Sequence, residues 1–471
     1  MKTIISAAVL ASLLTTTAAA QTATGMMGPL RPDQTEFRSL YKELVETNTT
    51  VSNGSCTDAA AKMGARLKAA GFGDDAITYF STPEHPKDGG LVAVLPGSNK
   101  ALRPMLLLAH IDVVEAKRED WTRDPFTLIE ENGYFYGRGT VDDKAQAAIF
   151  TDALVRMKQA GAKPKRTIKL ALTCGEETSG AFNGAEWLGK ERRDLIDAEF
   201  ALNEGGGGRT DGKGKLLVQT IQIGEKAYQD FTLTATNPGG HSSAPPPDNA
   251  IYDLAEALGK IRAHEFPLEF NDVTRAFFAK SGPLRGNAVG EAMVALVKNP
   301  GDTAAEATAN TDKTIHSMLR TTCVATLVEA GHALNALPQR ATANVNCRMF
   351  PGRTSAETMA TLAQVIGNPK IAIEERVKGK PIAIQPPLDP KIMGPVIKLA
   401  AKHFPGIPVI PTMSTGATDA LYLSGIPVYG VPSVWGDPDG NGTHGLNERV
   451  EVKALYTARD YLFDLVKALA G

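Results

Sequence analysis

Leu170-Ala-Leu-Thr-Cys-Gly-Glu-Glu-Thr-Ser-Gly180 decides how this chain of 471 residues is read. The run from Thr167 to Thr173 has the apolar composition of a buried strand. It breaks at Gly175 into two adjacent carboxylates, Glu176 and Glu177. Neighbouring glutamates at a strand end repel each other, and the repulsion is relieved by a bound cation or by keeping one carboxyl protonated. A solvated loop with two surface charges is the competing reading, and other stretches must choose between them.

A second apolar run, Met105-Leu-Leu-Leu-Ala109, reads as a strand covered on both faces and ends in His110-Ile111-Asp112. His and Asp two apart can point the same way, so the carboxylate can hold the imidazole. Phe126–Ile129 and Tyr134–Tyr136 flank Asn132-Gly133, a hairpin signal. The hairpin delivers Gly137-Arg-Gly-Thr-Val-Asp-Asp-Lys144 and a helix over 145–159, which places Asp142 at the helix entrance as N-cap or ligand. A further strand, Glu199–Leu202, ends in Asn203-Glu204 and four glycines, without the spacing of a phosphate loop. No Gly-x-Ser-x-Gly elbow and no His-Glu-x-x-His pair is present.

Length implies more than one domain. A net charge of −2 supplies no basic surface for nucleic acid. Lys2, the apolar run Ile4–Leu14 and the small residues ending Ala18-Ala-Ala20 form a secretory signal peptide over 1–20, with cleavage after Ala20. No later stretch suits a membrane span, so the mature protein is expected outside the cytoplasm, periplasmic or extracellular. Export permits disulfides. Cys323 and Cys347 lie in two expected strands and could face each other, whereas Cys174 reads as an inert core thiol.

From about Tyr228 the pattern changes. Strand over 230–236, helix over 250–262, strands over 322–328 and 341–348, helix over 355–366 and strand over 370–374 make a split βαβ, ferredoxin-like α+β unit. The stretch from Glu265 to Thr314 reads as less regular. Alternating helices and strands then resume to a closing helix over 452–469. The expectation is an α/β catalytic domain of α/β/α layering over 21–225 and 386–471, with an inserted lid over 226–385.

His110, Asp142, Glu176, Glu177, Glu204 and His444 all sit at strand ends or in glycine-flanked loops, where ligands collect in open α/β sheets. Imidazole and carboxylate without thiolate suit zinc, with cobalt or manganese as substitutes.

His-x-Asp after a strand, Gly-Arg-Gly-x-x-Asp-Asp-Lys, Gly-Glu-Glu, Asn-Glu-Gly, Gly-Gly-His-Ser-Ser and His-Gly-x-Asn-Glu occur in that order. Together they resemble the M20 family of dinuclear zinc peptidases and aminoacylases, over nearly the whole mature chain. Leu319 to Pro338 is further similar to its carboxypeptidase S and N-acyl-amino-acid hydrolase branch. The resemblance implies two Zn2+ per subunit: one on His110 and Glu204, one on Glu177 and His444, with Asp142 bridging and Asp112 orienting His110. It implies Glu176 as general base and His241 as a lid donor to the oxyanion, which in family dimers can reach a neighbouring subunit's site. It implies substrate contacts from Asn335, Arg348, Ser414, Thr415 and Gly416, with Arg348 clamping a carboxylate. Leu421 stands where many relatives carry arginine, which leaves the side-chain preference of the pocket open. The implied activity is hydrolysis of an amide bond beside a free carboxylate, in a small peptide or N-acyl amino acid, with a homodimer through the lid possible. A non-catalytic exported peptide-binding protein on the same fold is the alternative, and it has no use for Glu176.

Overall fold

The computed structural model describes residues 28–178, 182–210, 215–436 and 439–471. The proposed signal peptide lies outside the described residues, as do Ser179 and Gly180. Among the described residues no helix is long and apolar enough to cross a membrane.

Eight strands form the central sheet in the order Ile77–Thr82, His85–Leu95, Ile168–Thr173, Met105–His110, Phe200–Thr210, Val428–Trp435, Leu216–Glu225 and Val409–Ser414. The four central ones run parallel to one another, so His110, Glu176 and Glu204 all leave the same edge of the sheet. Side-chain alternation divides the Met105–His110 strand between two cores. Leu107 and Ala109 pack with the helices Pro32–Val45, Cys56–Ala69, Lys144–Gln159 and Val452–Ala470. Leu106 and Leu108 pack with Leu188 and Ile196 of the short helices on the opposite face. Both faces are therefore covered, which is why these strands read as unbroken apolar runs.

The lid is a four-stranded antiparallel sheet, Thr322–Ala330, Arg340–Met349, Ala227–Thr236 and Ile371–Glu375 in spatial order. Helices Ala250–Ala263 and Ser355–Ile366 cover one face through Leu254, Ile261, Leu362 and Ile366. In chain order the strands lie second, third, first, fourth, the arrangement of a split βαβ sandwich.

Three expectations need correction. The stretch over 265–314 is not irregular; it contains four helices, Asp272–Arg285, Ala288–Lys298, Thr303–Ala309 and Lys313–Met318. Asn271, Asn287, Asp302 and Asp312 each cap one of them with a side-chain oxygen. The Asn- and Asp-rich punctuation that suggested loop is a series of helix starts. Val273, Phe278, Met293 and Leu296 join the core of the catalytic domain rather than that of the lid. Second, the strand opening at Phe200 does not stop before the glycines but continues to Thr210. A Cβ on Gly208 would lie 1.8 Å from the Trp435 ring, so glycine lets that indole lie on the strand. Third, Cys174 is not an inert thiol. Because it follows the last residue of its strand, it turns out of the sheet toward the start of the 56–69 helix and is disulfide-bonded to Cys56. Cys323 and Cys347, directly opposite in neighbouring lid strands, form a second disulfide.

Candidate metal centre

The centre assembles from five chain segments. His110 ends the 105–110 strand and is buried, 1% exposed. Its Nδ1 lies 3.1 Å from the Asp112 main-chain oxygen and 3.5 Å from Asp112 Oδ1, so Asp112 orients the ring from both groups. The Asp112 carboxylate also accepts the backbone N–H groups of Glu176 at 3.3 Å and Glu177 at 3.0 Å. One side chain thus sets both the imidazole and the Glu-Glu turn. That turn leaves the sheet at Gly175, whose φ of 91° lies in the left-handed region. A Cβ there would lie 1.8 Å from the Phe182 carbonyl oxygen.

Asp142 does not cap the following helix, which begins at Lys144. Its two oxygens face different imidazoles instead: Oδ1 is 3.1 Å from His110 Nε2 and Oδ2 is 3.2 Å from His444 Nε2. Glu204 Oε1 lies 3.8 Å from the His110 ring nitrogen and Glu177 Oε2 lies 2.8 Å from that of His444. Candidate ligand atoms of His110, Asp142 and Glu177 lie within 4.8 Å of one another, as do those of His110, Glu176 and Glu204. All five expected ligands and Glu176 are therefore brought to one place.

The second imidazole, 334 residues beyond the first in sequence, arrives by way of a small sheet. A hairpin forms around Asn132 and Gly133, both at positive φ, as expected, but its first strand is Ile129–Glu131 and begins where the expected Phe126–Ile129 strand ended; its second is Tyr134–Tyr136. Arg449–Glu451 adds a third strand, with Arg449 opposite Tyr136. This pairing brings Glu448, whose motif was quoted above without a role, beside the 137–142 loop. Glu448 is fully buried and its carboxylate accepts four hydrogen bonds. Oε1 takes the N–H of Val141 at 2.7 Å and of Asp142 at 3.1 Å. Oε2 takes Gly139 N–H at 3.0 Å and Arg138 Nη1 at 2.7 Å. Arg138 Nη2 also donates to the Gly445 carbonyl at 2.7 Å, next to His444. The pair fixes the loop of the bridging carboxylate relative to that of the second imidazole. Asn447 anchors the far side by accepting from Thr122 Oγ1 at 2.6 Å.

The electrostatics fit a cation site. Burial pushes the carboxyl of Glu176 up to about 8, with Asp419, Glu177 and Asp112 adding to the shift and His110 opposing it. Burial likewise raises Glu177 to about 7, and it raises Glu204. His444 is drawn up to about 9 by its hydrogen bond to Asp142 and by Glu177. Carboxylates packed closely enough to force protons back onto one another, with two imidazoles among them, are a donor set that divalent cations would satisfy.

The centre opens into a cleft of about 940 Å³ between the catalytic face and the lid. Glu176, Glu177 and Asp419 line one side, and Tyr228, Asn344 and Arg348 of the lid line the other. Asp419, missed in the sequence, is buried and accepts from Thr173 Oγ1 at 2.8 Å and Asn183 Nδ2 at 2.7 Å. Leu421 sits in the cleft wall and joins the lid core, so this part of the pocket is lined by an apolar side chain. Ser414 and Gly416 turn their carbonyls to the Lys226 N–H, and Ser414 Oγ accepts the Gly416 N–H. With Thr415 they lead into Ala417 and Thr418 of the cleft lining. His241 and Asn335 lie elsewhere. His241 is in a two-strand pairing, Gly240–His241 with Ala336–Leu337, and Asn335 lies in the turn just before the second strand; both are exposed, with no contact to the metal centre among the described residues.

A family model described as peptidase family M20/M25/M40 matches residues 106–468. The chain belongs to this family. It is a hydrolase of the metallopeptidase and aminoacylase kind. It is 27% identical over 437 residues to a human N-fatty-acyl-amino acid synthase/hydrolase, PM20D1, covering 90% of this chain and 85% of that one. A probable carboxypeptidase S-like 2 from Dictyostelium discoideum is 28% identical over 399 residues, covering 79% of this chain and 72% of that one. Among solved structures, the M20 family metallo-carboxypeptidase Sso-CP2 from Sulfolobus solfataricus superposes with a TM-score of 0.70. It has 20% identity and covers 94% of this chain and all of that one. The fold is thus that of the family, a catalytic α/β domain carrying a lid.

Proposed function

We propose that the chain is an exported, zinc-dependent hydrolase that cleaves an amide bond beside a free carboxylate, in a small peptide or an N-acyl amino acid. The observation that carries this reading is Asp142, whose two oxygens address two separate imidazoles beside Glu176 in a cleft that also holds Arg348. His110 and Glu204 would hold one ion, Glu177 and His444 the other, and Asp142 both. When bound, the ions supply Lewis acidity to the scissile carbonyl and acidify the attacking water.

Glu176 takes the proton of that water and returns it to the leaving amine, beside the Asp142 bridge on the wall of the same cleft. Arg348 holds the substrate carboxylate with its planar fork, and the 414–416 turn borders the same pocket. His241 and Asn335, remote from the centre of their own chain, act across a lid-mediated dimer. Val324 and Val328, exposed on the lid's edge strand, support that assembly. Export rests on the 1–20 pattern and is favoured by two disulfides.

The test is turnover of a panel of dipeptides and N-acyl amino acids by the zinc-loaded protein, together with two variants. Glu176→Gln is expected to retain metal and lose about two to four orders of magnitude in rate. Glu177→Gln is expected to lose metal. Chelation abolishes turnover and zinc restores it. Full turnover by metal-free protein, or metal loss in Glu176→Gln with retention in Glu177→Gln, refutes the assignment.

A further inference from the structure

The lid wall of the cleft holds more positive charge than one substrate carboxylate requires. Beyond the 371–375 strand the chain reads Arg376-Val-Lys-Gly-Lys380, and its three cations line the same cleft as Glu176 and Arg348. Among the described residues none of these four basic side chains makes an ion pair or a side-chain hydrogen bond. Partners are not scarce on the lid, where Arg353 pairs with Glu269 and Lys370 with Asp248. The acid on this wall, Asp230, has Oδ1 taken by the amides of Asn344 at 2.8 Å and Asn346 at 3.0 Å, and Lys380 and Arg376 also help hold its carboxyl below the ordinary range from beyond ion-pair distance. Four cations against the single carboxylate of Asp230 leave this wall of the cleft net positive, a charge that a bound anion would offset.

The segment is also built to stay where it is. The buried amide of Gln229 donates to the Val377 carbonyl at 2.8 Å, and Arg376 N–H donates to the Asp230 carbonyl at 2.8 Å. Tyr228 underlies two of the cations: Lys380 Nζ lies 3.4 Å and Arg348 Cζ 5.1 Å from its ring centroid. One aromatic face thus sets the distal cations beside the arginine assigned to the substrate carboxylate.

We propose that Arg376, Lys378 and Lys380 form a second anion subsite, and that the preferred substrates carry a second carboxylate in addition to the one bound by Arg348. This rests on the hydrolase reading above and narrows its substrate class. The second carboxylate can belong to the side chain of the released amino acid or to the far end of a dicarboxylic acyl group.

The zinc-loaded full chain separates these sources with three substrates: N-acetyl-L-leucine, N-acetyl-L-glutamate and N-succinyl-L-leucine. One of the two dicarboxylates is expected to exceed N-acetyl-L-leucine in kcat/KM by roughly tenfold, since three partly screened contacts each contribute a factor of a few. In the triple variant Arg376→Gln/Lys378→Gln/Lys380→Gln that ratio should fall to about one, and in the wild type it should shrink with added salt. A ratio near one in the wild type, or a preference that survives the triple substitution, overturns the subsite. Turnover of none of the three, nor of any dipeptide in the panel above, refutes the hydrolase reading instead. Calorimetry then still decides the subsite: L-glutamate or succinate must bind the wild type more tightly than L-leucine or acetate, and equal affinities overturn it.

Discussion

Replacing Glu448 by glutamine removes one charge and almost no volume, yet it should disable the metal centre from a residue that touches no metal. The carboxylate accepts two hydrogen bonds on each oxygen, all from the 138–142 segment. An amide can present its oxygen to only one of those pairs, and its NH2 then faces two donors. Each bond to a buried charged acceptor contributes about 1.5–3 kcal/mol, so the strain placed on the loop is roughly 3–6 kcal/mol before relaxation. Relaxation takes the form of displacing the Asp142 loop, and loss of an outer support of this kind lowers metal affinity by about 10–100-fold. Competition of the metal-free protein with a chromophoric zinc chelator measures this directly, with circular dichroism confirming that the fold persists. Arg138→Lys, which keeps the charge but not the fork reaching Gly445, should fall in the same direction by less. Wild-type zinc affinity in Glu448→Gln would refute the inference that this carboxylate positions Asp142.

Two further outcomes concern stability. Burial raises the Asp33 carboxyl, but the Arg31 and Arg459 guanidiniums outweigh it and hold the group well below the usual carboxylate range. A depressed carboxyl adds stability above its unfolded value near pH 4 and loses it as pH falls through the folded value. Melting temperature should therefore decline below about pH 4, and Arg31→Gln should shrink the difference between pH 7 and pH 3; an unchanged difference counts against it. The Cys56–Cys174 disulfide closes a loop of 118 residues. Cys56→Ser should cost roughly 2–5 kcal/mol in urea unfolding under non-reducing conditions, and coincident unfolding curves would show the crosslink to be energetically idle.

What could be read from the residues depended on how local the controlling contact is. The 105–110 and 168–173 strands announce themselves because both faces are covered, so every position is apolar. The ligands were legible because each carries its own glycine-flanked strand end. Glu448 was not, because the four groups it accepts from lie 306 to 310 residues away. Cys174 looked like core because it directly follows the apolar run, and nothing nearby in sequence points to Cys56. The 272–318 helices were hidden because each shows only one cap and one apolar stripe: the first finds its partner on the remote strand 409–414, and the next two pack on it in turn. Arg376 to Lys380 read as an ordinary charged loop until the fold set them across from Glu176.

Those four short helices have a mechanical consequence. A lid joined to its body by two chain crossings can turn about the line between them. Here the chain crosses four times: at Glu225–Ala227, after Ala263, before Thr322 and after Glu375, because the segment between the second and third crossings is packed into the body's own core. Four attachments share no single axis unless they are collinear. The first and third are bolted together by buried Lys226, which donates to Ser317 Oγ at 3.1 Å, and the second and third by buried Arg320, which is ion-paired to Glu265 and also to Glu306 of the inserted segment. Any opening of this cleft has to be accommodated as flexure within the crossings themselves, not as rotation about a free hinge.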